Sequence, residues 1–339
     1  MFLICFGTRP EIIKLFPLIL EFKSRNVPYK TLFTGQHKDL NKMFSNLIPS
    51  YDYELSVMNK NQSLNSLTSN ILLQSEEIIK NNDFKYIIIQ GDTSTSYTLA
   101  LSAFYHKIKI IHVEAGLRTG NKYEPFPEEI NRKMISTIAD IHFVPTELSK
   151  NNLLKENYLD NIFVVGNTII DALRIMNIKP KKKDYVVVTL HRRENRDKLD
   201  ILLKQIDNIP FEIIIVKHPS IDDELYKKYL KNVKILKPLP YLDFLTLIAE
   251  CKFIISDSGG IQEESTYFKK KILICRNVTE RPEVITSGYG KLIGSDIINN
   301  LEWAMKPLHN ETESPFGDGY SCKKMLNILI DKYINARPN

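Results

Sequence analysis

Two patterns of apolar residues alternate along the chain. Short runs rich in Ile, Val, Leu and Phe are followed by turns, and then by longer segments whose apolar residues recur every three or four positions. The first pattern is that of strands buried on both faces, and the second that of amphipathic helices. Read in order, residues 1–6 predict a strand, 10–23 a helix and 29–33 a strand. Residues 63–80 predict a helix through Leu64, Leu67, Ile71, Leu72, Ile78 and Ile79. A strand at 86–89, a helix at 93–105 and strands at 108–113, 141–144 and 163–165 follow, with helices between and after them. The stretch 178–184, IKPKKKD, is polar and basic and reads as a linker, after which the pattern restarts. Strands are predicted at 185–190, 211–216, 233–236, 253–256 and 272–275, and a last helix over roughly 320–333. Strand–helix alternation predicts parallel sheets with helical crossovers. The expected class is therefore α/β, with two Rossmann-like doubly wound domains at 1–177 and 185–318 and a tail at 319–339.

Composition narrows the picture. A chain of 339 residues is too long for one ordinary core and suits two domains. It is 43% hydrophobic and 25% charged, as a soluble globular protein is. The net charge of +6 is dispersed, and the lysine runs at 181–183 and 269–271 are too short for a nucleic-acid groove. They favour an anionic small ligand. Cys5, Cys251, Cys275 and Cys322 lack metal-type spacing, and most lie in or beside apolar runs, as small core residues do in a reduced, cytoplasmic protein. The opening MFLICF is cut short by GTRPE, so no secretory signal is expected. No apolar stretch is long enough to span a bilayer.

Ligands of doubly wound sheets bind beyond the carboxyl ends of the strands. Polar clusters stand at those ends in both halves: 7–11, 35–37, 91–93, Glu114, 191–195, His218 and 256–264. They predict a cleft between two facing sheets.

The densest cluster is the stretch 111–132, which carries Glu114, Arg118, Glu124, Glu128, Glu129 and Arg132 in one loop and the helix start after it. Pro127 suits the first helical position, which puts Glu128 and Glu129 in a first turn favoured by the helix dipole. That placement alone accounts for Glu129. It accounts less well for Glu114, which directly follows a buried-type strand. Two acids and two arginines at such an edge suit proton chemistry on an anionic substrate.

In SDSGGIQEE, at 256–264, Gly259 and Gly260 allow backbone N–H groups to approach an anion at a helix N-terminus, and Ser258 adds a hydroxyl. Glu264 lies one turn on, within reach of a ribose diol, whereas Glu263 reads as an ordinary helix residue. A plain glycine turn is the alternative. The segment is neither a Walker loop nor a GxGxxG loop. Arg9 in GTRPE suits a bidentate phosphate clamp or a salt bridge to Glu11, and Lys14 reads equally as surface. Asp92 in GDT reads as a helix N-cap or as a site acid. His191, beside Arg192, Arg193 and Glu194, reads as a tuned site residue, and His218 as structural. Phe244 has apolar helical neighbours, so its readings are core packing or base stacking.

These motifs stand in a telling order: GTRPE, TGQH at 34–37, GDT, HVEAGLRT, PEEINR, HRREN, SDSGGIQEE and TERPE at 279–283. Together they resemble the non-hydrolysing UDP-N-acetylglucosamine 2-epimerases over about 7–319. The resemblance implies a glycosyltransferase-B-like architecture, a homodimer, no metal and no nicotinamide or other cofactor. It also implies a UDP-binding second domain and a final helix that crosses back to the first. Such enzymes interconvert UDP-GlcNAc and UDP-ManNAc by eliminating UDP to 2-acetamidoglucal and adding it back. By motif, Asp92, Glu114, Glu128 and His191 correspond to the catalytic group. Arg9, Lys14, Arg132, Ser258, Gly259, Gly260 and Arg281 would surround sugar and diphosphate, Glu264 would hold the ribose, and Phe244 would pack on uracil.

The chain departs from the family pattern in places. Lys38, Asp39 and Asn70 stand where members regulated by a second UDP-GlcNAc carry better anion partners, and Arg196 replaces a common glycine. Independence from such an activator is therefore expected. Two other readings stay open at this point: C2 epimerisation of another UDP-2-acetamido sugar, such as a 6-deoxy-hexose, and a UDP-sugar glycosyltransferase of the same fold. A transferase has no evident use for acids at Asp92, Glu114 and Glu128 together.

Overall fold

The computed structural model describes residues 1–36, 51–59, 62–217, 221, 223–308 and 313–334. His37, Lys38, Asp39 and His218 lie outside the described residues. The chain divides into two units, Met1–Ile175 with Gly317–Asn339, and Met176–Phe316.

The first unit runs β1 (Phe2–Phe6), α1 (Arg9–Ser24), β2 (Tyr29–Phe33), β3 (Tyr53–Glu54), α2 (Leu64–Lys80), β4 (Tyr86–Gln90), α3 (Ser94–Tyr105) and β5 (Lys109–Val113). It continues through α4 (Glu128–Ile138), β6 (Ile141–Val144), α5 (Glu147–Lys155), β7 (Ile162–Val164) and α6 (Thr168–Met176). The second unit holds β8 (Tyr185–Thr189), α7 (Leu199–Asp207), β9 (Glu212–Val216), α8 (Asp223–Tyr229), β10 (Lys234–Leu236) and α9 (Tyr241–Glu250). Then come β11 (Ile254–Ser256), α10 (Gly259–Tyr267), β12 (Ile272–Ile274), α11 (Glu283–Thr286), β13 (Gly290–Leu292) and α12 (Leu301–Met305). Helix α13 (Ser321–Leu329) belongs to the first unit again.

Strands pair in the order β3-β2-β1-β4-β5-β6-β7 in the first unit and β10-β9-β8-β11-β12-β13 in the second. Every pairing is parallel. Each unit is thus a Rossmann-like, doubly wound α/β domain. The central strands are near-continuous apolar runs because helices cover both faces: FLICF in β1 and YVVVT in β8 are buried throughout. The two strands missing from the sequence reading, β3 and β13, are the edges of their sheets. At two and three residues, YE and GKL carry too little apolar pattern to register.

Helix starts follow from local chemistry. The Ser63 hydroxyl accepts from Ser66 N at 3.2 Å at the start of α2, and Thr93 accepts from Ser96 N at 3.1 Å at the start of α3. In α1 the Glu11 carboxylate reaches back to Gly7 N at 2.9 Å and Thr8 N at 2.6 Å. Of the apolar stripe expected on α2, Leu67, Ile71 and Ile79 are buried, whereas Leu64 in its first turn is 43% exposed. Among the described residues no helix is long and apolar enough to cross a membrane.

Helix α13 packs on α1 and is tied down at its N-terminus. The buried Asp171 carboxylate accepts from Ser321 N at 3.1 Å and Cys322 N at 2.8 Å, and Arg174 Nε donates to Gly319 O at 2.8 Å. Asp171→Ala leaves both helix N–H groups without this acceptor. It should cost roughly 2 kcal/mol and speed amide exchange in 321–329 while leaving the strands of the second unit protected. Hydrogen–deuterium exchange checks this, and unchanged protection of α13 would rule the cap out.

His112 of β5 and His142 of β6 are register partners, both buried. Burial first, with the nearby Arg118 charge adding to it, pushes His112 down to about 3 and His142 to about 4. His112 Nε2 lies 2.8 Å from Gly91 O and, in the neutral ring, donates to it. Both folded-state values lie below the ordinary 6.5, so the unfolded chain takes up protons first as pH falls. This contribution to stability is complete above about pH 6.5 and is lost as pH falls, down to about 4 for His142 and about 3 for His112, by about 1.4 kcal/mol per pH unit for each ring. Urea midpoints should therefore fall over that window, and more gently in a His112→Asn/His142→Gln variant. Equal slopes in both proteins would count against the account.

Candidate active site

A doubly wound sheet opens a crevice where its strand order reverses, between strands whose following helices leave on opposite faces. In the first unit that point lies between β1 and β4. Lys14, one turn into α1, places Nζ 2.6 Å from Glu114 Oε2, and both side chains are less than a tenth exposed. The same Oε2 accepts from Gln90 Nε2, the last residue of β4, at 2.5 Å. Lys14 is therefore not a surface residue but the buried counter-charge of Glu114. Glu114 itself has φ +66°, a left-handed conformation that costs a non-glycine residue about 1 kcal/mol or more. The bend takes the chain out of β5 and aims the carboxylate back across β4 towards α1.

Asp92 is not the N-cap of α3, because Thr93 fills that position. Its carboxylate is about a third exposed and lies 3.3 Å from Arg132 Nη1, while its carbonyl accepts from Asn131 Nδ2 at 2.9 Å. Arg132 is almost wholly buried, and its Nη2 has no hydrogen-bond partner among the described residues. Pro127 occupies the N-cap of α4 rather than the first helical position, so Glu128 and Glu129 open the helix. Glu129 is fully buried and structural: it accepts from Thr119 N at 3.0 Å and Gly120 N at 3.1 Å and holds the loop before α4. Glu128, beside it, is only half-buried. Arg118 is likewise structural, bound to Glu156 at 2.7 Å and to Ser136 Oγ at 3.0 Å. Arg9 is exposed at the start of α1. Glu11 is buried and takes donors from Gly7, Thr8, Thr93 and Ser96, so the salt-bridge reading of Arg9 and Glu11 does not describe what Glu11 does.

In the second unit the reversal lies between β8 and β11. His191 follows β8, and the turn 257–260 follows β11. Ser258 is the N-cap of α10 by position, but its hydroxyl makes no capping bond. A Cβ at Gly259 would come within 2.7 Å of Arg281 Nη1, so a larger residue there would push on the ends of the Arg281 and Glu280 side chains. A Cβ at Gly260 would meet nothing within 4 Å, so packing does not require that glycine; it stands in the first turn of α10, where backbone N–H groups lack intrahelical acceptors. Arg281 is buried against the turn, with Nε 2.5 Å from Glu263 Oε1 and Nη1 on Glu280. Glu263 is therefore half of a buried ion pair, not a plain helix residue. Glu264 is buried and accepts from Tyr241 Oη at 2.5 Å. Phe244, on α9, is half-buried.

Three residues that organise these groups escaped the sequence reading: Gln90, Asp257 and Tyr241. Gln90 carried a signal, as the polar end of the apolar run YIIIQ. Asp257 carried the same one, directly after β11. Tyr241 carried none, because only the tertiary structure brings the first residue of α9 to Glu264.

A family model for UDP-N-acetylglucosamine 2-epimerase matches residues 21–330. The chain belongs to the UDP-N-acetylglucosamine 2-epimerase family. It is by that membership an isomerase, and the reading of its motifs as this family stands. The UDP-N-acetylglucosamine 2-epimerase of Salmonella borreze is 39% identical over 97% of this chain and 97% of its own length. The solved UDP-GlcNAc 2-epimerase of Neisseria meningitidis, bound to UDP-GlcNAc, is 35% identical with a TM-score of 0.89, covering 98% of this chain and 100% of that one. A glycotransferase of kitacinnamycin, 10% identical with a TM-score of 0.63 over 96% of this chain and 98% of its own, shares the fold alone.

Within the epimerase fold, the Lys14–Glu114 pair can be tested directly. Lys14→Ala leaves a buried carboxylate without its counter-charge, which should destabilise the protein by about 3 kcal/mol and lower activity at least about tenfold. Lys14→Arg should restore part of the stability. A Lys14→Ala protein as stable and active as the parent would dismiss the pair.

Proposed function

We propose that the protein is a non-hydrolysing UDP-N-acetylglucosamine 2-epimerase that interconverts UDP-GlcNAc and UDP-ManNAc. The observation that carries the reading is the near full-length likeness to the Neisseria enzyme solved with UDP-GlcNAc. The strand-end groups support it, because they supply both kinds of chemistry the reaction needs.

A base takes the proton from C2 as the C1–O bond breaks, and the bonding pair leaves on the β-phosphate of UDP. The product is 2-acetamidoglucal with a C1–C2 double bond. Addition of UDP at C1, with a proton delivered to the opposite face of C2, gives the epimer. Asp92, Glu114, Glu128 and His191 form the acid–base group in this proposal. Glu114, held by Lys14 and Gln90, is already fixed in orientation, so little reorganisation accompanies proton transfer. The negative charge that develops on the diphosphate is met by the backbone at Gly259 and Gly260, the Ser258 hydroxyl, Arg281 and the cations Arg9, Lys14 and Arg132. Glu264 takes the ribose diol, and Phe244 packs on uracil. Residues 185–318 serve as the UDP-binding domain, 1–177 as the domain of the carboxylates, 178–184 as the linker, and 319–339 returns to the first domain. The working form is a cytoplasmic homodimer that supplies precursors for polysaccharide, and it needs no cofactor.

Incubation with UDP-GlcNAc in D2O, followed by NMR, tests the reaction. The expected result is a mixture of both UDP-sugars with deuterium at C2, and no free sugar. Transfer of the sugar to an acceptor without C2 exchange, or release of free N-acetylmannosamine, would overturn the reading.

A further inference from the structure

Asp257 is fully buried, and a buried carboxylate is costly unless its oxygens are satisfied. It accepts from His191 N at 3.0 and 3.1 Å, from Arg192 N at 2.9 Å and from Asn195 Nδ2 at 2.9 Å. The Asn195 amide also donates to Cys275 O at 2.8 Å, which ties the arrangement to the end of β12. The imidazole of His191 places Nδ1 3.2 Å from Asp257 Oδ1. Among the described residues no lysine or arginine lies within ion-pairing distance of Asp257, so His191 is its ionisable partner. The carboxylate therefore holds the main chain of His191 by hydrogen bonds and lies beside its ring. The two residues meet because β8 and β11 are paired neighbours, Thr189 opposite Ser256, at the point where the strand order reverses.

We propose that Asp257 is the positioning residue of His191, keeping its proton on Nδ1 so that Nε2 carries the lone pair at the strand edge that also holds the turn after β11. The inference rests on the proposed epimerase reaction. A nitrogen lone pair beside a carboxylate oxygen is repelled, whereas an N–H is attracted, so the neighbouring charge favours the tautomer protonated on Nδ1. Nε2 then holds the lone pair and takes up a proton to form an imidazolium beside the buried negative charge. When the C1–O bond breaks and its electron pair passes to the β-phosphate oxygen, the Nε2 proton is donated to that oxygen. In the return addition the proton goes back to Nε2 as the C1–O bond forms. Asp257 touches neither sugar nor nucleotide. The competing account gives Asp257 only the task of joining the loops after β8 and β11.

The test uses the full-length protein labelled with 15N-histidine, with and without UDP. Long-range 1H–15N spectra read the tautomer of each ring, and His191 is assigned by its loss in His191→Asn. The wild type should show Nδ1 protonated and Nε2 bare. In Asp257→Asn the amide can donate to Nδ1, so the proton should move to Nε2. There kcat should fall by about 100-fold or more, while KM and the UDP Kd stay within about threefold. A purely structural Asp257 predicts instead a general loss, with UDP affinity and thermal stability falling together and the tautomer unmoved. Wild-type His191 with its proton on Nε2, or an Asp257→Asn protein with unchanged tautomer and kcat, would overturn the proposal. If Asp257→Asn does not fold, the wild-type spectrum still decides the tautomer. Absence of C2 exchange by the wild type would defeat the epimerase reading and leave the tautomer result standing.

Discussion

Parallel strands cannot be joined by tight turns, so each must be followed by a helix that carries the chain back across a face of the sheet. Every strand of a unit therefore ends at the same edge, and every strand-to-helix turn is gathered there. The acid after β5, the glutamine that ends β4 and the lysine one turn into α1 lie far apart in sequence, yet parallel pairing leaves them within bonding distance. In the second unit the same constraint brings His191 after β8 to Asp257 after β11.

The second organising demand is electrical. Charged side chains leave water only when they are compensated. Here they are compensated in small closed sets: Lys14 with Glu114, Arg118 with Glu156, Glu129 with the loop before α4, and Arg276 and Arg281 with Glu263 and Glu280. Such sets are rigid, because moving one member strands the others. Within each unit such sets hold their members in fixed orientations, and strain such as the left-handed backbone of Glu114 can be held in place. Less enclosed are the Asp92 carboxylate, which is partly exposed beside Arg132, and the Ser258 hydroxyl, which makes no capping bond. They suit the reception of an anion and the movement of a proton.

Several residues changed meaning once packing was known. Asp92 lost its capping role to Thr93, one residue on. Lys14 moved from surface to core because α1 lies against β1 and β4, which turns the face carrying Lys14 towards Glu114. Glu263, beside Glu264, faces Arg281 instead of solvent. Each of these depends on which face of a helix meets the sheet, and a single residue step changes that direction by about 100°.

The sequence by itself determined the alternation of elements, the parallel sheets and the family, because apolar periodicity and turn chemistry are local and a long ordered set of motifs is specific. Leu3, Ile87 and Val187 announce buried strands whatever surrounds them. Only the tertiary structure decided who neutralises whom. The partners of Glu114, Asp257 and Glu264 are 100, 66 and 23 residues away, at Lys14, His191 and Tyr241. Contacts between residues so far apart come from the order in which strands pair, and no local pattern encodes that order.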